Sequence, residues 1–279
     1  MRARIAGVLA ALLAALTAGA AAAQEPPVEL SGAVTQGGIV FGRTDPDAAV
    51  RLDGRPVRVS SDGHFVFGFG REATGQAVLE IRRADGRVTR MPLTIAPRQF
   101  EVQSVDGLPQ NLVTPNPEEE ARIAREQAQV LEARKLDLDR ALFESGFIWP
   151  AQGPISGVYG SQRVLNGTPR APHYGVDVAA PEGSAVVAPA DGLVTFAKPD
   201  LLLTGGTLVI DHGHGLSSTF IHLSRIDVAV GAEVKQGARV GAVGATGRAS
   251  GPHLHWGMNW FEVRVDPALL VGPMPAGGD

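Results

Sequence analysis

The sequence predicts a mainly β protein: a small N-terminal β-sandwich-like domain, one connecting α-helix, and a C-terminal all-β domain. Three observations carry this reading. Short alternating apolar and polar runs fill residues 28–95, separated by Asp-Gly pairs; one helix-start signature follows at residue 116; and after Gly146 short apolar strands return between glycine turns. At 279 residues and 44% hydrophobic composition the chain is long enough for two compact domains, so two cores are expected.

Residues 1–23 read as an export signal. Arg2 and Arg4 make a basic start, an Ala/Leu-rich run begins at Ile5, and Ala21, Ala22 and Ala23 supply a cleavage site ahead of Gln24-Glu25-Pro26-Pro27. A membrane anchor is the competing reading, but the run is Ala-diluted and short for a bilayer. Cleavage after Ala23 is expected, which suits the periplasm. The chain has no cysteine, which excludes disulfides and a lipid anchor on an N-terminal Cys and leaves only nitrogen and oxygen ligands for any metal. Its formal net charge of −4, more negative once the two signal arginines are gone, is no nucleic-acid-binding footprint.

Residues 24–100 form the N-terminal domain. Val50-Arg51-Leu52, Phe65-Val66-Phe67 and Leu79-Glu80-Ile81 read as strands, and Asp53-Gly54, Asp62-Gly63 and Asp85-Gly86 as hairpin turns, because Gly and Asp accept positive φ. The domain carries one histidine, His64, and no evident convergence of polar groups, so a packing or docking role is expected. Residues 101–148 read as a linker with a helix over about 117–144. Asn116 is its N-cap, Pro117 its first residue, and the acidic side chains that follow suit the positive end of the helix dipole. Ile123, Val130, Leu131, Leu138 and Leu142 fall near one stripe, and Glu118 and Arg122 sit at i, i+4. The C-terminal domain spans 149–271, with strands around Val186, Leu193, Thr207, Thr219 and Val240; residues 272–279 read as a flexible tail.

Six of the seven histidines lie in the C-terminal domain. If His253-Leu254-His255 is a strand, alternation points both imidazoles to one face and Leu254 to the other. His173-Tyr174-Gly175-Val176-Asp177 offers a further nitrogen and a carboxylate. Together these could give zinc three protein ligands and leave a fourth position for water. His212-Gly213-His214 has the same spacing, however, and spacing alone does not rank one pair above the other.

The order and intervals of five motifs go further. Tyr159-Gly160-Ser161-Gln162-Arg163, His173-x-x-x-Asp177, Asp211-His212-Gly213, Phe220-Ile221-His222-Leu223-Ser224 and the run from Gly244 to His255 together resemble the lysostaphin or LytM-type metallopeptidase family across residues 149–267. The resemblance implies a LytM-type peptidase domain with one zinc per chain bound by His173, Asp177 and His255. It implies His222 and His253 as catalytic histidines, and places His212 and His214 in a turn near the site as non-ligands. Phe220 stands where many members have Tyr. The implied activity is zinc-dependent endopeptidase cleavage of peptide cross-links in peptidoglycan, between D-Ala and meso-diaminopimelate, acting on stem peptides in the periplasm. The alternative is a non-catalytic activator or scaffold for other cell-wall hydrolases. The N-terminal domain or helix is a candidate surface for a cell-wall protein partner; separately, the domain and helix together could cover the groove of a wall-cutting enzyme in a latent form.

No His-Glu-x-x-His sequence is present, so neutral His222 or His253 is the expected proton acceptor. Arg163, Asn166 and Arg170, in the loop before His173, are candidates to bind a substrate carboxylate, with plain solvated charge as the alternative. Asp211 is a candidate to orient a zinc ligand, with capping of its turn as the alternative.

Overall fold

The computed structural model describes residues 28–105, 116–165 and 167–275. The expected export signal, Asn166 and residues 276–279 of the expected tail lie outside the described residues. Seven N-terminal strands follow in order: β1 (Glu29–Gly32), β2 (Ile39–Arg43), β3 (Ala49–Leu52), β4 (Arg55–Val57), β5 (His64–Gly68), β6 (Gln76–Arg82) and β7 (Val88–Thr94). They build two sheets, ordered β1-β2-β5 and β4-β3-β6-β7. The β3–β4 hairpin closes on Asp53-Gly54, both at positive φ (48° and 81°), the type I′ turn whose twist matches the flanking strands.

The linker contributes a strand that the sequence reading missed, β8 (Val102–Val105), and then helix α1 (Pro117–Ala133). The Asn116 side chain accepts from the Glu118 and Glu119 N–H groups at 3.1 and 3.0 Å, and the Glu119 carboxylate accepts from the Asn116 N–H at 3.0 Å. Two orphan ends thus satisfy each other. Arg122 pairs with Glu126 at 2.6 Å and not with Glu118. The helix stops at Ala133, well short of the expected 144, because tertiary contacts outcompete further turns. Arg134 turns its guanidinium onto Thr219, Asp137 and Asp139 are taken by Arg58 of the N-terminal domain, and the Leu138 carbonyl accepts the His214 N–H. Leu142 lies in a separate 3-10 turn, Leu142–Ser145.

The C-terminal domain has β9 (Ile155–Gly157), β10 (Gln162–Leu165), β11 (Thr168–Pro169), β12 (Val176–Ala179), β13 (Ala185–Val187), β14 (Gly192–Leu201), β15 (Gly205–Asp211), β16 (Leu216–Leu223), β17 (Arg225–Ile226), β18 (Glu233–Val234), β19 (Arg239–Ala242), β20 (His253–Trp260) and β21 (Val263–Val265). Its main sheet runs β18-β14-β15-β16-β20-β12-β9, with β21 beside β20. β10 forms a hairpin with β11 and pairs in parallel with β8, which ties the linker to the C-terminal domain.

One contiguous core replaces the two expected from length. Ile39, Phe65, Phe67 and Leu79 belong to the same buried cluster as Val178, Leu208, Leu254 and Trp256. The join is close: Phe41 lies 5.5 Å from Phe143, and a side chain at Gly68 would collide with Val265. On the other face of the main sheet, Val130 and Ala133 of α1 pack on Phe196, Leu201 and Val209. One wall of a groove is therefore helix, and its floor is sheet.

Candidate functional site

β20 lies between β16 and β12, and this register builds the site. His255 is opposite Asp177 on one side and Ile221 on the other; His253 is opposite Ala179. Alternation then sorts the side chains as expected. Leu254 and Trp256 are wholly buried in the core, while His253 and His255 face the groove. His173, before β12, completes the group.

His173 Nε2 lies 3.0 Å from Asp177 Oδ1 and 2.9 Å from His255 Nδ1, and the latter two atoms are 2.8 Å apart. Metal–donor bonds of about 2.0–2.1 Å in a tetrahedron would separate ligand atoms by roughly 3.3 Å, so a small opening of this triangle admits a zinc ion. Two neighbouring glycines keep the space clear. A Cβ at Gly157 would strike the Asp177 carboxylate, and one at Gly175 would strike the His255 ring.

Backbone carbonyls fix the imidazole tautomers. His173 Nδ1 faces the Val158 carbonyl at 3.0 Å, His222 Nδ1 the Thr246 carbonyl at 2.8 Å, and His253 Nδ1 the Gly251 carbonyl at 2.8 Å. A carbonyl only accepts, so each Nδ1 carries the proton and each Nε2 of a neutral ring keeps a lone pair. Those lone pairs belong to the donor triangle at His173 and to the neighbouring pair at His222 and His253, whose ring centroids are 4.7 Å apart. His253 Nε2 is 4.0 Å from Asp177 Oδ1, beside the triangle and not in it.

Burial pushes His255 down to about 4 and lowers His222 as well, which keeps both rings neutral at pH 7. Burial alone would raise Asp177, but the imidazoles of His173 and His255 set against it hold its carboxyl well below the usual range. His222 has φ of 64°, in the left-handed region that non-glycine residues avoid. Thr246 holds the loop that requires this. Its hydroxyl donates to the Leu223 carbonyl and accepts from the Gly206 N–H, both at 2.9 Å, while its own carbonyl holds His222.

The five residues singled out by resemblance are thus brought together. Others are not. His212 and His214 lie in the β15–β16 turn, at the opposite end of β16 from His222 and roughly 20 Å away by strand rise; the expectation of a turn near the site is corrected. His212 is fully buried with both nitrogens engaged, at 2.8 Å from the Asp191 carbonyl and 2.8 Å from Ser218 Oγ. Asp211 lies at the same remote end, wholly buried, and accepts the Gly213 N–H at 2.8 Å, so it caps the turn and orients no residue of the site. Arg163 lies on β10 and Arg170 directly follows β11, ahead of His173. Phe220 is buried in the core on the opposite face from Thr219 and Ile221, so a hydroxyl there would point away from the groove.

The N-terminal domain also holds a convergence the sequence reading missed. His64 Nδ1 lies 2.5 Å from Glu144 and 3.2 Å from Asp62, strapping β5 to the 3-10 turn of the linker. Asp-Gly spacing had marked Asp62 as a turn residue, and Glu144 is too distant in sequence to be associated with it.

A donor triangle on a sheet face, flanked by a second pair of imidazoles, is the arrangement found in metallopeptidases. More particularly, the chain belongs to peptidase family M23. The model of that family matches residues 171–267. A solved structure from Pseudomonas aeruginosa, assigned to peptidase M23, is 31% identical with a TM-score of 0.66, covering 85% of this chain and 94% of that one. Among curated proteins, the DD-carboxypeptidase/endopeptidase Mpg of Neisseria meningitidis is 40% identical over 103 residues, 37% of this chain and 24% of that protein. The peptidoglycan DD-endopeptidase ShyA of Vibrio cholerae is 42% identical over 86 residues, 31% of this chain and 20% of that protein. The matched stretch is about a quarter of the length of such relatives. Among the described residues no helix is long and apolar enough to cross a membrane.

Proposed function

We propose that the protein is a zinc-dependent endopeptidase that hydrolyses peptide cross-links of peptidoglycan, between D-Ala and meso-diaminopimelate, in the periplasm. One observation carries the reading: three metal-type donors converge within 3.0 Å of one another, beside a second pair of imidazoles. His173, Asp177 and His255 would hold one zinc ion. When bound, zinc supplies Lewis acidity, polarising a peptide carbonyl and bringing water to ionise near pH 7. The chain's own residues do the rest. His222 or His253 takes a proton at its bare Nε2 and returns it to the departing amine, while the carbonyls of Thr246 and Gly251 steady the imidazolium that forms. The names of Mpg and ShyA favour a cell-wall peptide as substrate.

The test pairs zinc analysis with digestion of cross-linked peptidoglycan by wild type and His255→Ala. Wild type is expected to carry about one zinc per chain and to release uncross-linked muropeptides. His255→Ala is expected to lose the metal and to slow cleavage by more than the roughly 10–100-fold typical of residues that merely support a ligand. Zinc binding without cleavage would sink the endopeptidase reading. Absence of zinc from wild type would replace it with the activator or scaffold.

A further inference from the structure

The groove between α1 and the main sheet encloses a cavity of about 280 Å³ that reaches from the helix to His255. Two arginines line it from unrelated parts of the chain: Arg134, at the C-cap of α1, and Arg264, on β21. Arg134 is only 5% exposed. Its Nε and Nη2 reach Thr219 Oγ1 at 3.3 and 2.8 Å, a neutral acceptor, and among the described residues neither arginine has an acidic partner. Glu126 also lines the cavity, but its two oxygens are already occupied by Arg122 and the Leu202 N–H.

Burying a charge without a counter-charge is expensive, and placing a second like charge in the same cavity compounds the cost. Burial, then the charge of Arg264, pushes Arg134 down to about 9, so the guanidinium remains charged at neutral pH. A site that keeps one buried and one half-buried cation, and whose carboxylate, Glu126, is already engaged elsewhere, is preorganised for an anion from outside. The guanidinium fork suits the planar carboxylate above other anions available on a peptide. The cavity's contact with His255 sets where that carboxylate lies: on the peptide segment flanking the bond to be cut.

We propose that Arg134 and Arg264 form a carboxylate subsite, which selects peptides carrying a free carboxylate next to the scissile bond. The proposal rests on the endopeptidase reading for its substrate. It also gives the linker a role in specificity, since Arg134 lies outside residues 171–267, the stretch matched by the family model.

Two synthetic cross-linked peptides test this, one with a free carboxylate beside the scissile amide and one with that group as the carboxamide. Zinc-loaded wild type is expected to favour the free acid in kcat/KM by about tenfold or more, mainly through KM. Arg134→Met is expected to lose that factor on the free acid alone, and Arg134→Lys to recover part of it. A lost fold would slow both peptides equally and lower Tm; Arg264→Met is then read in the same way. Equal cleavage of the two peptides by wild type overturns the subsite and leaves the endopeptidase standing. If wild type cuts neither, the endopeptidase reading fails, and calorimetric binding of the same peptides decides. Binding of the free acid alone, abolished in Arg134→Met, supports the subsite; equal or absent binding of the two overturns it.

Discussion

The chain contains the His-x-His spacing twice, and the two copies have different fates. In His253-Leu254-His255 the pattern opens a strand, so the imidazoles share the groove face and meet Asp177 across the ladder. In His212-Gly213-His214 it spans a turn, where His212 spends both nitrogens internally and His214 is buried with neither nitrogen bonded among the described residues. Residue type and spacing are the same in both. What separates them is the strand register around one pair, and the group each second ring nitrogen faces.

The largest expected effect tests the groove pair. His222→Ala and His253→Ala should each lower the cleavage rate by about 10²–10⁴-fold with zinc content unchanged, as expected for proton-transfer residues outside the donor triangle. Loss of zinc from either variant would place that residue among the ligands. At the remote copy, His212→Ala should cost about 2–4 kcal/mol of stability, since it strips two buried hydrogen-bond partners and leaves a cavity. The cleavage rate per folded molecule should not change, and denaturant unfolding alongside turnover separates the two effects.

A smaller, pH-dependent effect sharpens the contrast. Burial raises Asp211 to about 7, so the folded state holds a proton that the unfolded state has lost between about pH 4 and 7. This costs stability as pH rises through that window. Burial lowers its neighbour His212 to about 4, which has the opposite slope: the unfolded state holds the extra proton, and stability rises with pH from about 4 to 6.5. The two offset each other. Asp211→Asn removes the first, so relative to wild type the variant should gain on the order of 1–3 kcal/mol as pH rises from about 4 to 7. A pH-independent Tm difference would show that Asp211 is ionised throughout.

Much of this was legible in the sequence because it is local. The capping box at Asn116 needs four residues, the Asp53-Gly54 turn needs two, and the strand face of His253 and His255 follows from a period of two. What was hidden is non-local or chemically anonymous. The end of α1 depends on Arg134 meeting Thr219, 85 residues away. The carbonyls of Val158, Thr246 and Gly251 set the imidazole tautomers, yet every residue has a carbonyl and none signals this use. Asp211 belongs to one of the motifs in sequence, but a strand of ordinary rise carries it to the far end of the sheet. The single core depends on β5 meeting β20 and β21, which no composition reveals.

The left-handed backbone at His222 sets stability against turnover at one position. A φ of 64° costs an imidazole-bearing residue about 1 kcal/mol or more that glycine would not incur. His222→Gly should therefore relax the end of β16 while removing one of the two candidate proton acceptors. If the protein is the proposed endopeptidase, directed evolution for heat resistance alone would favour this variant, and lineages selected under such a screen would drift towards inert, durable folds unless cleavage were demanded in every round.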